Sequence, residues 1–413
     1  MNKGLLKKLL LGLAAVGPGL FLIGYNIGTG SVTTMAKSGA EHGMSLFWAL
    51  VLSCLFTYVL MVAYGQVTLV TGRTALSNFR ANLSYGKLLC FYIMGALILG
   101  ELLALMGIMG IVGDLLREGS RLMLGGTGIH PFWLILICTT GLYLMLWYGK
   151  YQFFEKVLTV FVILMALCFI MVFILVKPSL TAILRGLVPQ IPEVPGAFGL
   201  VAAMAGTTCS AMVFIMRSIV VSEKGWTVDN LESEKRDAFV SASMMLILSG
   251  VIMAVSAGTL HVMGLKLTDT VEMVRLFEPI GGEFAAYILI LGITGAGLST
   301  VFPIVLIAPW LISDYTGRPR DLHSPLYRIL GLGGILFAFG GQLLEQRPPA
   351  LMVFSQAFQA CILPAVVLPI FFLINSEALM GKHRAGIKMN IGLFAVLIFA
   401  FVTTYLAIAE LGR

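Results

Sequence analysis

Gly24-Tyr25-Asn26-Ile27-Gly28-Thr29-Gly30-Ser31 interrupts the first long apolar run of this 413-residue sequence. Glycines and polar side chains stand there at the depth where a membrane helix normally carries hydrocarbon. Glycine tolerates the backbone angles of an unwound segment, and small side chains leave room for a solute beside exposed backbone groups. The stretch therefore predicts a broken helix with a solute-binding site near the middle of a membrane.

A second interruption, Ala205-Gly206-Thr207-Thr208-Cys209-Ser210-Ala211, lies five apolar runs further on. Interrupted helices at matching positions in two halves are typical of transporters built from inverted repeats, with the substrate held between the repeats. The alternative interpretation is close helix packing through small residues. The substrate-binding groups predicted from the two interruptions are Gly28, Thr29, Gly30, Ser31, Gly206, Thr207 and Ser210.

The composition places the chain in a lipid bilayer. Hydrophobic residues make up 59% of it and charged residues 11%, whereas about a quarter of a soluble domain is charged. About eleven apolar runs are long enough to cross roughly 30 Å of hydrocarbon. They are predicted at 11–38, 44–71, 87–116, 131–149, 154–177, 197–222, 238–264, 283–313, 326–344, 350–374 and 389–409.

The predicted architecture is all-α, because a segment that crosses lipid must satisfy its own backbone polar groups. No linker divides the sequence, so residues 1–413 are interpreted as one transmembrane domain. The first repeat covers about 11–177, the second about 197–374, and one additional helix covers about 389–409. In this scheme the first helix of each repeat, span 1 and span 6, is broken.

The basic residues predict the orientation. The net charge of +7 comes from Lys and Arg in short loops, a pattern typical of membrane topology and not of nucleic-acid binding. With the N-terminus inside, 18 basic residues face the cytoplasm and 9 face the other side. We therefore expect a bacterial inner-membrane protein with a cytoplasmic N-terminus and an external C-terminus. The oligomeric state stays open, with a monomer as one option, and no cofactor is expected.

Short motifs in a fixed order carry a resemblance to a known family. They are Gly17-Pro18-Gly19, Gly39-Ala40-Glu41-His42-Gly43, Leu69-Val70-Thr71-Gly72-Arg73, Phe154-Glu155-Lys156-Val157, Phe277-Glu278-Pro279, Gly297-Leu298-Ser299-Thr300, Ser355-Gln356 and Leu363-Pro364. In these motifs the chain resembles the natural resistance-associated macrophage proteins (NRAMP), LeuT-type transporters that move divalent metals with protons. The resemblance implies a LeuT-type 5+5 fold and places Gln356 near the substrate path.

The sequence departs from this family at the positions that the resemblance assigns to the metal site. The Asp-Pro-Gly-Asn motif of the family's first helix falls on Gly28, Thr29, Gly30 and Ser31. The Met-Pro-His motif of its sixth helix falls on Ser210, Ala211 and Met212. An acidic pair of the third helix becomes Glu101 and Ala104, and Arg217 takes the place of a second histidine.

These replacements leave several cargoes open. Carbonyl and hydroxyl oxygens suit a hard cation such as Mg²⁺, carrying most of its water, better than Mn²⁺ or Fe²⁺. Asn26-Ile27-Gly28-Thr29-Gly30-Ser31 also looks like the signature of amino-acid permeases of this fold, so an amino acid, a small carboxylate or another anion is the alternative. Na⁺ would fit neutral oxygens, and a non-transporting sensor is a further hypothesis. No grouping of residues indicates an enzyme.

Glu101 lies in the apolar stretch Leu97-Ile98-Leu99-Gly100-Glu101-Leu102-Leu103. A carboxylate there must pair with a cation, take up a proton or face water. We expect Arg217 or Arg328 to be its partner. The pair would either lock spans 3, 6 and 9 together or couple transport to protons.

Overall fold

The computed structural model describes residues 28–148, 151–280, 282–343 and 347–412. Residues 24–27 of the first interruption, and the half of span 1 that precedes them, lie outside this range. Regular structure in the described residues is helical throughout, with no strand among them. The all-α prediction is therefore confirmed.

The α-helices are numbered here in chain order. They are α1 (Thr29–His42), α2 (Phe47–Thr71), α3 (Ala75–Asn82), α4 (Gly86–Leu124), α5 (Pro131–Tyr148), α6 (Tyr151–Val176), α7 (Leu180–Arg185), α8 (Ala197–Thr208), α9 (Ala211–Glu223), α10 (Leu231–Gly258), α11 (Gly282–Thr316), α12 (Pro325–Phe337), α13 (Gly340–Leu343), α14 (Pro348–Ala360), α15 (Leu363–Asn375), α16 (Glu377–Met380) and α17 (Ile387–Leu411).

Eight helical segments of the described residues are long and apolar enough to cross a membrane, and each coincides with a predicted span. The predicted boundaries were wrong in three places. Span 3 continues to Leu124, which makes α4 about 58 Å long. Span 7 already begins at Leu231, because Glu234 and the charged residues beside it continue the helix. The main helix of span 9 ends at Phe337 and not at 344.

Span 6 is broken at the predicted place. Its first half, α8, ends at Thr208, and its second half, α9, begins at Ala211. Cys209 and Ser210 between them have non-helical ψ angles of 46° and 132°. Four carbonyls at the end of α8 and four N–H groups at the start of α9 therefore have no partner within their own helix. The break exposes backbone polar groups inside the bundle, as the sequence predicts.

Span 10 is interrupted at a proline kink that was not predicted from the sequence, although Cys361 and Ile362 keep right-handed helical backbone angles. Helix α14 ends at Ala360 and α15 begins at Leu363, with Pro364 in its first turn. The proline ring has no N–H to offer the carbonyl of residue 360 and clashes with it in a continuous helix. Thr404 of α17 donates a hydrogen bond of 3.3 Å to that carbonyl instead.

Glycines bring the broken helices close to their neighbours. A Cβ atom at Gly206 of α8 would lie 1.8 Å from the carbonyl oxygen of Gln356 in α14. A Cβ atom at Gly39 of α1 would lie 2.3 Å from the carbonyl oxygen of Met253 in α10. Only glycine permits such backbone contact. The site-bearing helices α1 and α8 are therefore each packed directly against another backbone.

A buried group of charges joins α9 to α10. Arg217 is fully buried, and its Nη2 and Nη1 atoms lie 2.8 Å from Glu234 Oε1 and 2.5 Å from Asp237 Oδ2. Helix α2 leaves room for this group at Gly65, where a Cβ atom would lie 2.0 Å from Glu234 Oε1. The absence of a side chain at Gly65 is thus what allows the ion pair to form next to α2.

Gly65→Ala is expected to destabilise the protein by at least about 1–3 kcal/mol, because the new methyl group overlaps the Glu234 carboxylate. The measurement is the midpoint of thermal unfolding in detergent. Gly141→Ala in α5 is the matched control, since a Cβ atom there meets nothing within 4 Å. Equal melting temperatures of the two variants would contradict the packing argument.

Candidate functional site

A small polar cavity lies where the broken helices meet α4, α11 and α14. Its volume is about 30 Å³, close to the space of one water molecule. The described residues that line it are Gly28, Gly30, Ser31, Glu101, Ala104, Ile108, Gly206, Thr207, Ser210, Thr300, Ile304, Met352, Gln356 and Gln359. Its polar side chains are hydroxyls, two carboxamides and one carboxyl group, so the cavity offers oxygen ligands to a small solute.

Two hydrogen bonds tie the cavity walls together. The hydroxyls of Ser31 in α1 and Thr207 in α8 are 2.9 Å apart and join the two broken spans directly. Ser210, in the break of span 6, donates a hydrogen bond of 2.8 Å to Gln359 Oε1 in α14. All four side chains are buried or nearly so. A solute in the cavity would meet hydroxyl and amide groups that are already oriented.

Glycines keep the cavity walls at backbone distance. A Cβ atom at Gly28 would lie 2.4 Å from Thr300 Oγ1, and one at Gly30 would lie 2.8 Å from Met352 Cε and 2.9 Å from Gln356 Nε2. Side chains at these positions would displace the residues opposite. Gly28 and Gly30 thus allow close packing and also line the cavity. The interpretation as a solute site and the interpretation as close helix packing therefore both apply to them.

Most of the predicted substrate-binding residues share this cavity. Of the eight, only Thr29 does not line it. Thr29 is fully buried, and its Oγ1 atom points towards α11, where a Cβ atom at Gly297 would lie 2.9 Å from it. Thr29 turns its side chain towards α11 because successive residues on a helix point in different directions.

The two arginines expected as partners of Glu101 have other contacts in the structure. Arg217 pairs with Glu234 and Asp237, and the guanidinium of Arg328 lies 3.8 Å from the ring centre of Trp147. Glu101, only 3% exposed, lines the cavity itself. The cavity therefore has a carboxyl group in its lining besides the carbonyl and hydroxyl oxygens expected from the sequence.

Six further lining residues were not predicted as site residues: Ala104, Ile108, Thr300, Ile304, Met352 and Gln359. One signal for Gln359 was available in the sequence, since Gln356 and Gln359 are three residues apart and share a helix face. Thr300 belongs to the motif 297–300. Met352 has no distinguishing feature in the sequence, because methionine is common in apolar cores.

The helix ends give the cavity an uneven electrostatic potential. Helix α8 ends at Thr208 and directs the carbonyl end of its dipole towards the site, which favours a cation. Helix α1 begins at Thr29 and directs its N–H end there, which favours an anion. Glu101 contributes a carboxyl group between them. The site is therefore electrostatically mixed, with one side-chain acid among the described lining residues.

The interrupted span 6 and helix α1 enclose one cavity inside a bundle whose described regular structure is all helical, an arrangement shared with transporters of the LeuT fold. The chain aligns over 96% of its length, and 98% of the other chain, with the structure of MhsT in complex with L-phenylalanine (TM-score 0.63, 14% identity). It aligns over 99% of its length, and 88% of the other chain, with an Eremococcus coleocola manganese transporter in complex with an aromatic bis-isothiourea compound (TM-score 0.72, 17% identity). The predicted fold class is confirmed.

The sequence comparison then identifies the family. The family model described as "Natural resistance-associated macrophage protein-like" matches residues 19–410, and this chain belongs to that Nramp family. It is 23% identical over 408 residues to the divalent metal cation transporter MntH of Pectobacterium carotovorum subsp. carotovorum, covering 96% of this chain and 94% of the relative. The MntH protein of Klebsiella pneumoniae strain 342 is 23% identical over 379 residues, covering 89% and 87%.

Ser31→Ala and Thr207→Val are expected to interact in a double-mutant cycle. Their hydroxyls bond to each other inside the bundle, so the coupling free energy in thermal unfolding should be about 0.5–1.5 kcal/mol. The control cycle combines Ser31→Ala with Thr139→Val in α5, whose hydroxyl bonds only within its own helix. Additive effects in the Ser31/Thr207 cycle would show that the two broken spans are not held together by this bond.

Proposed function

We propose that this protein transports a hard divalent cation such as Mg²⁺ across the membrane by alternating access. The observation that carries the proposal is the small cavity between the broken helices, lined mainly by oxygen atoms and containing one carboxyl group. Membership of the Nramp family supports a metal cargo, since relatives that match nearly the whole chain are named divalent metal cation transporters.

The ligand atoms favour a hard ion. Ser31, Thr207, Ser210 and the glutamines offer hydroxyl and amide oxygens, the ligands that suit Mg²⁺ and Ca²⁺. Met352 is the thioether among the described lining residues, and its methyl carbon lies towards Gly30, while its sulfur lies near Gly107 of α4. These contacts place the sulfur of Met352 beside α4 and not towards the centre of the cavity. The absence of a soft ligand there among the described residues supports Mg²⁺ over Mn²⁺ or Fe²⁺.

The charge of the site supports a divalent cation. Bringing a dication to mid-membrane depth against neutral groups alone is costly. Glu101 supplies one negative charge when ionised, and the carbonyl end of α8 adds partial negative charge. The resemblance to the family implies an aspartate at the position of Gly28, and that negative charge is lost here. Glu101, on α4, supplies part of the negative charge at the site instead.

The size of the cavity favours an ion over an amino acid. The cavity, with a volume of about 30 Å³, is small, which favours an ion over an amino acid in this conformation. The hydrated Mg²⁺ expected from the sequence must shed most of its water here. The ion would reach the site and lose its water during the conformational change, in which spans 1, 2, 6 and 7 rock against the remaining helices.

A ligand panel tests the proposal on detergent-purified protein. Mg²⁺ at one hundred times its Kd should stabilise the fold by about 2.7 kcal/mol, with smaller effects of Na⁺ and phenylalanine at the same concentration. Ser31→Ala and Thr207→Val should weaken the response to Mg²⁺. A melting shift with phenylalanine but not with any divalent cation would reject the proposal in favour of an amino-acid carrier, and a shift with Zn²⁺ well above Mg²⁺ would reject the hard-ion preference.

Glu101→Gln should reduce Mg²⁺ binding about tenfold or more, because a charge-assisted contact becomes a neutral one. Transport in proteoliposomes should fall with it and lose whatever pH dependence Glu101 contributes. Glu41→Gln is the control, since Glu41 pairs with Lys37 at the end of α1, away from the cavity. Unchanged affinity in Glu101→Gln would remove Glu101 from the ligand set, and transport that keeps its pH dependence would rule out coupling through this residue.

A further inference from the structure

One carboxylate of the helix outside the two repeats bonds the start of the broken span 6. Gly196 N–H donates a hydrogen bond of 3.0 Å to Glu410 Oε1, and Gly199 N–H donates one of 3.1 Å to Glu410 Oε2. Both acceptors belong to one side chain of α17, and both donors lie at the start of α8. Two of the N–H groups that lack a partner within α8 therefore receive one from another helix.

The contact is built into both helices. Gly196 precedes α8 with a φ angle of 89°, a left-handed conformation that favours glycine. Gly199 leaves space for the acid, since a Cβ atom there would lie 3.0 Å from Glu410 Cγ. The negative charge stands at the positive end of the α8 dipole, where it is stabilising.

The opposite end of α8 carries the site. Helix α8 is 12 residues long, about 18 Å, and its last turns hold Gly206 and Thr207 against the cavity. Gly206 packs on the backbone of α14, and α17 also bonds α14 at the span 10 break through Thr404 and Ala360. Helix α17 thus makes a polar contact with each of the two helices that pack together at Gly206.

We propose that Glu410 is a positioning residue for transport, which fixes α8 so that Gly206 and Thr207 face the cargo. Glu410 touches no cargo and acts through α8. Its two oxygens hold the start of the half-helix, and the Gly206–α14 contact holds the end. The helix outside the 5+5 repeat thereby determines the geometry of a site made by the repeats.

Glu410→Gln tests this assignment, because the amide keeps the size of the acid but has one acceptor oxygen for two N–H donors. The readout is the rate at which N-ethylmaleimide labels Cys209, measured by mass spectrometry. Cys209 directly follows α8 and is 1% exposed. We expect labelling to rise roughly tenfold, the size of one lost charge-assisted hydrogen bond. Glu410→Asp, which keeps the charge, should restore part of the protection.

Two controls separate positioning from general loosening. Cys90 in α4, fully buried, should keep its labelling rate in Glu410→Gln. Glu377→Gln removes an equivalent carboxylate from the exposed pair with Arg384 and should change neither cysteine. Unchanged labelling of Cys209, or an equal rise at Cys209 and Cys90, would overturn the proposal.

The Glu410→Gln variant also tests whether the positioning role of Glu410 affects cargo binding. This test rests on the proposed function. Glu410→Gln should raise the Kd for Mg²⁺ about threefold to tenfold, by displacing Thr207 and Gly206. An unchanged Kd with raised Cys209 labelling would limit Glu410 to holding α8 and reject its role in transport. Failure of Mg²⁺ to bind the unaltered protein would instead contradict the proposed function and leave the labelling result valid.

Discussion

An interrupted helix inside a membrane must satisfy its exposed backbone groups with other parts of the protein, because lipid offers no hydrogen bonds. Hydroxyl side chains do this at the break of span 6. Thr57 of α2 donates a hydrogen bond of 2.9 Å to the carbonyl oxygen of Thr208, and Ser53 bonds the Thr208 hydroxyl. Cys209 N–H closes the last turn on Ala205. The remaining carbonyls at the end of α8 have no partner within their own helix.

A second constraint is the cost of buried charge. Arg217 stands where the resemblance to the family implies a histidine, and a guanidinium stays charged under all ordinary conditions. It needs buried acids as partners, which Glu234 and Asp237 supply one helical turn apart on α10, and the acids need the space that Gly65 leaves on α2. Breaking such a pair by removing one partner costs about 3–5 kcal/mol. This charge group is therefore a structural element that fastens α9 to α10.

The architecture could be predicted from the sequence because apolar length and matched interruptions are local signals. Seven of the eight predicted substrate-binding residues line one cavity for the same reason. The partners of Arg217 could not be predicted, since the pairing depends on which faces α9 and α10 turn to each other. The break of span 10 had a local signal in Pro364, but proline is frequent in membrane helices and often only bends them. The position of Glu101 in the cavity lining likewise could not be predicted, because it depends on how α4 packs against the other helices.

The cavity is small for a reason that lies in the backbone. Gly28, Gly30 and Gly206 each bring a main chain to within contact of the opposite wall, where a Cβ atom would overlap Thr300, Met352 or the carbonyl of Gln356. Replacing the family's aspartate by Gly28 thus removes a charge and also lets the walls approach. For the divalent cation proposed as cargo, the two effects would act together: Glu101 is the acid among the described lining residues, and the small cavity would require the ion to lose water. A cation held mainly by oriented neutral oxygens is bound less tightly than one held by several acids, which favours its release in a transport cycle.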